Sequence, residues 1–377
     1  MKTSLTHLCL PASLTLMLLI SAGSLLAQSE YNGEMKLSNS PPQARFTHLP
    51  PRLRTDVMQA ATAAASTPLQ TWNGSFSYGG RTYKYNMVGA APSTNTSATV
   101  PVYIIPVKIV ITKRRSIVTF DPSHILSNGS TVTHNTAASP LFDKTTTYTQ
   151  GGVDVGTTQY IDAYQRANFW GTVKTHTNSH LLLGGPTVTA EQTLSPPSAY
   201  GSTGTPFGFT AGLVDINWFD AQLPAIMSKL GITPNAFPIF LTYDVYLTES
   251  GGCCIGGYHS SEGSASAPQA YAEATYVDHV GAFSQDVSAL SHEIGEWADD
   301  PLVVNINGNN TPCGILENGD PLEGNANYGG YRYVLHGFTY NLQDLATLPY
   351  FGAPKSTSVN GWLSFQGESL SVCSNGS

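Results

Sequence analysis

The stretch SALSHEIGEWADDP, residues 288–301, sets His292 beside Glu293 and places Glu296 one helical turn further on. Side chains four residues apart on a helix project side by side, so His292 and Glu296 have the reach of two ligands to one ion, with Glu293 next to them. In helices reading H-E-x-x-H the two histidines hold zinc, and the Glu between them takes a proton from the water that attacks a carbonyl. Here Glu296 stands in the place of the second histidine. A carboxylate oxygen also binds zinc at about 2.0–2.2 Å, but it weakens the ion's pull on its water. Glu293 is therefore the candidate catalytic base, and His292 and Glu296 are candidate metal ligands. Further ligands must come from elsewhere. GILENGDPLEG, residues 314–324, offers Glu317 and Asp320 on a glycine-rich turn. His259 and Asp300 are candidates for the same cleft, and His279 is a nearby alternative.

A plainer alternative is an amphipathic helix with a wet polar face. At 100° per residue Val287, Leu290, Ile294, Trp297 and Ala298 gather on one side, and His292, Glu293, Glu296, Asp299 and Asp300 on the other. Three features weigh against it. Gly295 costs roughly 1 kcal/mol mid-helix against Ala, which implies a close neighbour there. Asp299 and Asp300 lie at the negative end of the helix dipole. Above all, Leu230 to Tyr331 contains no Lys or Arg, although Glu273, Asp286, Glu293, Glu296, Asp299, Asp300, Glu317, Asp320 and Glu323 all fall within it. A solvated acidic face normally mixes signs. A divalent cation supplies the missing charge. Zinc is the ion expected, and calcium is the alternative that an oxygen-rich ligand set would suit.

These residues need elements to position them. Ser284 and Asp286 predict the start of a four-turn helix, and Pro301 its end. SFSYGGRTYKYNMV predicts a hairpin around Gly79 and Gly80, and VPVYIIPVKIVIT (100–112) a strand placed at an edge or bulged by Pro106. TQYIDAYQRANFW and DINWFDAQLPAIMSKLGI have helical spacing, the latter with Asp215 or Asn217 as cap and Gly231 as stop. AFPIFLTYDVYLT and QAYAEATYVD read as strands. Residues 1–27 read as a signal peptide, with Lys2, an apolar run and Ala27 before the cut. Residues 28–70 read as an extended linker or pro-segment, and 71–99 as a β-hairpin region. The predicted protein is thus exported, extracellular or periplasmic, with no integral membrane span. The net charge of −8 argues against nucleic acid as a partner. Of five cysteines, Cys9 leaves with the leader, and Cys253, Cys254, Cys313 and Cys373 make two disulfides. Neighbouring Cα atoms about 3.8 Å apart are closer than the roughly 4.4–6.8 Å usual for a bridge, so Cys253 and Cys254 are expected to pair with Cys313 and Cys373.

GGCCIGGYHSS, AYAEATYVD, SHEIGEWADDP and ILENGDPLEG occur in an order that resembles exported bacterial zincin-like metallopeptidases with an HExxE helix. More distantly, the chain resembles the phosphate-induced or exordium-type secreted proteins of cell walls. The resemblance covers residues 237–345. The order strand, helix, strand, helix, strand, strand, helix reads as α+β, with a zincin-like domain placed over residues 100–377, a twisted mixed sheet with an active-site helix, preceded by a β-rich N-terminal segment; the resemblance implies the zincin-like catalytic domain. It also implies a zinc peptidase acting on peptide or protein, with His292 and Glu296 as ligands and Glu293 as base. The competing expectation is a non-catalytic extracellular module that binds wall polymer around a structural Ca²⁺ or Zn²⁺. A two-carboxylate glycosidase is a third reading, because the chain is rich in acids, Tyr and Trp.

Overall fold

A computed structural model of the chain describes residues 33–54, 67–113, 116–305 and 311–373; the expected signal peptide lies outside them. Two short strands, β1 (Arg45–His48) and β2 (Arg52–Arg54), precede the hairpin β3 (Thr71–Tyr78) and β4 (Arg81–Val88). Then come β5 (Ser97–Val100), the long β6 (Val102–Lys113), β7 (Ser116–Phe120), helix α1 (Val132–Ala137) and the pair β8 (Thr147–Gln150) and β9 (Val153–Thr157). Helices α2 (Tyr160–Asn168) and α3 (Trp170–Val173) lead into β10 (His180–Leu183), β11 (Thr187–Val188), β12 (Gln192–Leu194), β13 (Gly201–Gly204) and β14 (Ala211–Asp215). After α4 (Ile216–Asp220) and α5 (Leu223–Lys229) run β15 (Phe237–Tyr243), β16 (Val245–Glu249), β17 (Gly252–Ser264) and β18 (Ala267–Tyr276). Helix α6 (Ser288–Asp299) and the hairpin β19 (Gly330–Leu335) and β20 (Phe338–Gln343) follow.

One large mixed sheet dominates, in the order β11-β6-β15-β18-β17-β16-β14-β13, with β1 and β2 added to β17 and β7 and β12 added to β6. It curls until β13 comes back against β6, giving a nearly closed, barrel-like sheet. With 39% strand and 20% helix the protein is mostly β, which corrects the expected zincin-like α+β domain. The short strands β5, β7 to β9 and β13 are rich in Ser, Thr and Gly and too brief to show a period, so the sequence pattern undercounts them. No helix among the described residues is long and apolar enough to cross a membrane.

Pro106 sits inside the sheet, not at an edge. β6 pairs with β15 on one side, and on the other side its partner changes from β11, opposite Ile104, to β12, opposite Val107. The residue that has no N–H falls in that gap. The strand expected over 236–248 is two strands, β15 and β16, divided at Asp244 with φ 51°. Asp215 caps α4 as expected, its Oδ1 accepting from the Trp218 N–H at 2.9 Å.

The two faces of the sheet carry separate cores. Ile105, Val107 and Ile109 of β6 pack with Phe219, Leu223 and Met227 of the α4–α5 region. On the opposite face Ala270, Ala272 and Ala274 of β18 join Leu290, Ile294, Trp297 and Ala298 of α6. An Ala at every second position keeps that face of β18 shallow, so α6 can lie close against it. Trp297 also stacks on Phe237, with ring centroids 4.0 Å apart. Helix α6 starts later than expected, because Ser284 and Asp286 have φ of 62° and 44° and cannot be helical.

The disulfides also depart from expectation. Cys253 pairs with its neighbour Cys254, their Cα atoms 3.1 Å apart, because the peptide between them is cis and brings them nearer than the trans spacing allows. Cys313 pairs with Cys373, Cα–Cα 5.6 Å, and ties the turn carrying Glu317 to the C-terminal segment.

Candidate metal centre

Helix α6 has no wet face. Every residue from Ala289 to Asp299 is buried, and its polar side looks into an interior recess walled by β17, β20, the turn at 316–323 and β1. Three glycines make the close packing possible. A Cβ on Gly319 would overlap the His292 imidazole, and one on Gly257 would lie 2.9 Å from Glu293 Oε1. A Cβ on Gly295 would meet Leu345 Cδ1 at 2.5 Å, so the close neighbour expected mid-helix is a core leucine.

Into this recess the fold brings His259, His292, Glu293, Glu296, Glu317 and Asp320. His292 Nε2 lies 2.9 Å from Glu296 Oε1 and 3.6 Å from Asp320 Oδ1. His259 Nδ1 lies 3.3 Å from Glu293 Oε2 and 3.6 Å from Glu296 Oε2, and its Nε2 lies 3.8 Å from Glu317 Oε2. Asp320 is the outlet: its side chain is 43% exposed, whereas the other five residues are almost wholly buried. Asp300 is close by, its Oδ1 accepting from the Val304 and Asn305 N–H groups at 3.0 Å each and its Oδ2 buried without a hydrogen-bond partner. The Asp299 carboxylate likewise accepts from Tyr164, Gln165 and Asn318. His279 stands apart with Asp244, 3.8 Å away, and Asp278, 3.9 Å away.

The hydrogen-bond network fixes the state of His292. The Gln343 N–H donates to Ser291 Oγ at 2.8 Å, and the Gln343 side-chain amide donates to the Gly319 carbonyl at 2.9 Å. Its carbonyl oxygen is thereby left to accept from His292 Nδ1 at 2.7 Å. Nδ1 carries the proton, and Nε2 presents a lone pair to two carboxylate oxygens. Burial lowers the His292 pKa, against the pull of Asp320 and Glu323, so the ring stays neutral. Burial, reinforced by the nearby His48 and His292, lowers His259 to about 3. A neutral His259 has one lone pair, and whichever nitrogen bears it faces a carboxylate.

Burial also raises the pKa of Glu293, Glu296 and Glu317 well above the usual range, with neighbouring carboxylates pushing in the same direction. His259 Nε2, His292 Nε2, Glu293 Oε1 and both Glu317 oxygens are buried with no hydrogen-bond partner. Among the described residues no Lys or Arg forms an ion pair with these acids. Lone pairs converging on lone pairs are repulsive unless a proton or a metal cation lies between them.

The spacing fits such a cation. Four ligands at 2.0–2.2 Å in a tetrahedron stand roughly 3.3–3.6 Å from one another. The His–carboxylate separations here run from 2.9 to 3.8 Å. The chain matches no family model, no curated protein and no solved structure. The centre therefore rests on its own geometry.

Sequence reasoning missed three of the side chains at this centre, Gln343, Phe46 and His48, and counted Glu323 among the unpartnered acids without placing it here. Gln343 orients His292, while Phe46, His48 and Glu323 close the recess. Phe46 packs on the His292 ring with centroids 4.1 Å apart, and its N–H donates to Glu323 Oε1 at 2.5 Å. His48 Nδ1 is 3.6 Å from Glu317 Oε1. Phe46 and His48 lie in the segment read as linker or pro-segment. The only signal there was the alternation in RFTHL, which puts the two on one face of a strand.

Proposed function

We propose that the protein is an exported metal-dependent hydrolase that cleaves polypeptide substrates. The observation that carries the metal is the His292 tautomer: a buried, unprotonated Nε2 is held toward Glu296 and Asp320 by a dedicated acceptor on Gln343. Two histidines among the ligands favour zinc or a similar first-row ion over calcium, which prefers an all-oxygen set. A bound ion of this kind would acidify water and polarise a carbonyl. Glu293 stands on the same helix within 3.3 Å of His259, where a carboxylate can hold a proton taken from water and return it to the leaving amine.

Support for a polypeptide substrate comes from β1 and β2. They run parallel to β17, with His48 opposite His259, and the Leu49 N–H donates to the His259 carbonyl at 3.1 Å. An extended chain is thus already held along β17 by main-chain bonds, the way a sheet edge takes a peptide. Arg45 and Arg52 pin this strap through Glu249 and Asp220. In the closed state the strap covers the centre, and hydrolysis requires it to move. The long-range bridge Cys313–Cys373 supports an oxidising, extracellular location.

A second reading, a non-catalytic extracellular module with a structural ion, is favoured by one observation: the ligands are buried under that strap. One experiment separates the two. Metal content and hydrolysis of an unfolded protein are measured for the chain and for its Glu293→Gln variant, each also carrying Phe46→Ala to loosen the strap. The hydrolase reading expects the Gln variant to keep its metal and lose activity by roughly 10²–10⁴-fold. Equal activity in the two proteins removes Glu293 as the base, and metal-loaded protein without activity in either supports the module.

A further inference from the structure

We infer that this centre holds two divalent cations bridged by the Glu296 carboxylate, an inference that rests on the metal-centre reading above. The ligands do not form one shell. They separate into two sets, the wholly buried His259, Glu296 and Glu317 on one side and His292, Glu296 and the more exposed Asp320 on the other, with only Glu296 in both. Its two oxygens serve different histidines: Oε1 lies 2.9 Å from His292 Nε2, and Oε2 lies 3.6 Å from His259 Nδ1.

Each set carries its own unsatisfied, buried donor. His292 Nε2 has no partner on one side, and His259 Nε2 and both Glu317 oxygens have none on the other. One ion would quiet only one set and leave the other histidine's lone pair against carboxylate oxygens. One imidazole and two carboxylates per ion is a donor set suited to zinc or manganese, and three protein ligands leave each ion a position for water or substrate.

The test is stoichiometry. The full chain is stripped with chelator, reloaded with Zn²⁺, freed of excess by gel filtration and analysed for metal per chain. Two ions are expected in the wild type, and one each in His259→Ala and His292→Ala. Loaded with Mn²⁺ instead, the wild type should give the electron paramagnetic signal of an exchange-coupled pair. One ion in the wild type overturns the two-ion inference and leaves the metal centre standing; none overturns both. Two ions that survive both histidine substitutions place the second ion elsewhere, at the surface group of Asp244, Asp278 and His279, and also overturn the inference. The wild-type count and the coupled signal decide the matter even if a variant fails to fold.

Discussion

Replacing Gln343 with Leu tests the centre through a residue that touches no ion. The substitution nearly preserves volume and removes both the acceptor for His292 Nδ1 and the donor to the Gly319 carbonyl. Without that acceptor the ion-free protein has an escape: the imidazole proton moves to Nε2, which lies 2.9 Å from Glu296 Oε1 and can donate to it. The ion-bound protein has none, because Nε2 is occupied and Nδ1–H stays buried without a partner, at a cost of about 1–3 kcal/mol. The difference falls on metal affinity. Outer-shell partners of this kind typically contribute 10–100-fold, or about 1.4–2.7 kcal/mol, and the Leu variant is expected to bind Zn²⁺ weaker by that factor. Gln343→Glu keeps an acceptor facing Nδ1 and should recover most of the affinity. Competition against a chromophoric chelator measures both, with near-ultraviolet circular dichroism to show that the fold persists. A folded Leu variant with wild-type affinity would mean that His292 Nε2 is not a ligand.

Three further outcomes follow from particular contacts. Gly319→Ala drives a methyl group into the His292 ring and should weaken Zn²⁺ binding at least tenfold, read by the same competition; unchanged binding would remove the turn from the centre. Phe46→Ala gives up a buried aromatic worth about 3–5 kcal/mol, so the strap should open more often and hydrolysis of unfolded protein should rise tenfold or more; lower activity with metal retained would show β1 to be part of the working site. Glu273, buried with Thr242 donating to its Oε1, has its carboxyl pushed by burial up to about 8, against an ordinary 4.5. The folded state therefore holds this proton more tightly than the unfolded state, so this group's contribution to stability is full below about pH 4.5 and is lost as pH rises from there to about 8. Glu273→Gln escapes that loss, and in urea unfolding it should exceed the wild type by roughly 3–5 kcal/mol at pH 8.5 and by nothing near pH 4; a constant difference would assign the effect to packing.

The candidate ligands on α6 were legible in the sequence because the helix sets their spacing. The i, i+4 relation of His292 and Glu296 survives any tertiary context, and the absence of Lys and Arg across Leu230–Tyr331 marked acids that lacked partners. Glu317 and Asp320 were legible as a turn, though not as members of different ligand sets, because that division depends on how Gly319 packs against His292. The barrel-like sheet was not legible. Its closure depends on strands as short as Thr187–Val188 and Gln192–Leu194, whose pairing with β6 is decided by partners distant in sequence. The vicinal disulfide was missed because the spacing argument assumed a trans peptide.

The strap reconciles two features that pull against each other, a centre with the groups for hydrolysis and a centre buried from substrate. Parallel pairing puts His48 and His259 on one face of the sheet, so the strand that blocks the recess also places an imidazole 3.6 Å from a ligand carboxylate. Its grip is divided. Phe46 is buried against His292 and Phe283 and Arg52 reaches the buried Asp220, whereas Arg45 reaches Glu249 with both partners more than two-fifths exposed. Exposed ion pairs contribute little and weaken further with salt, while the aromatic contact does not. Ionic strength alone should therefore leave the strap seated. Releasing it takes competition for the β17 edge or removal of the segment itself.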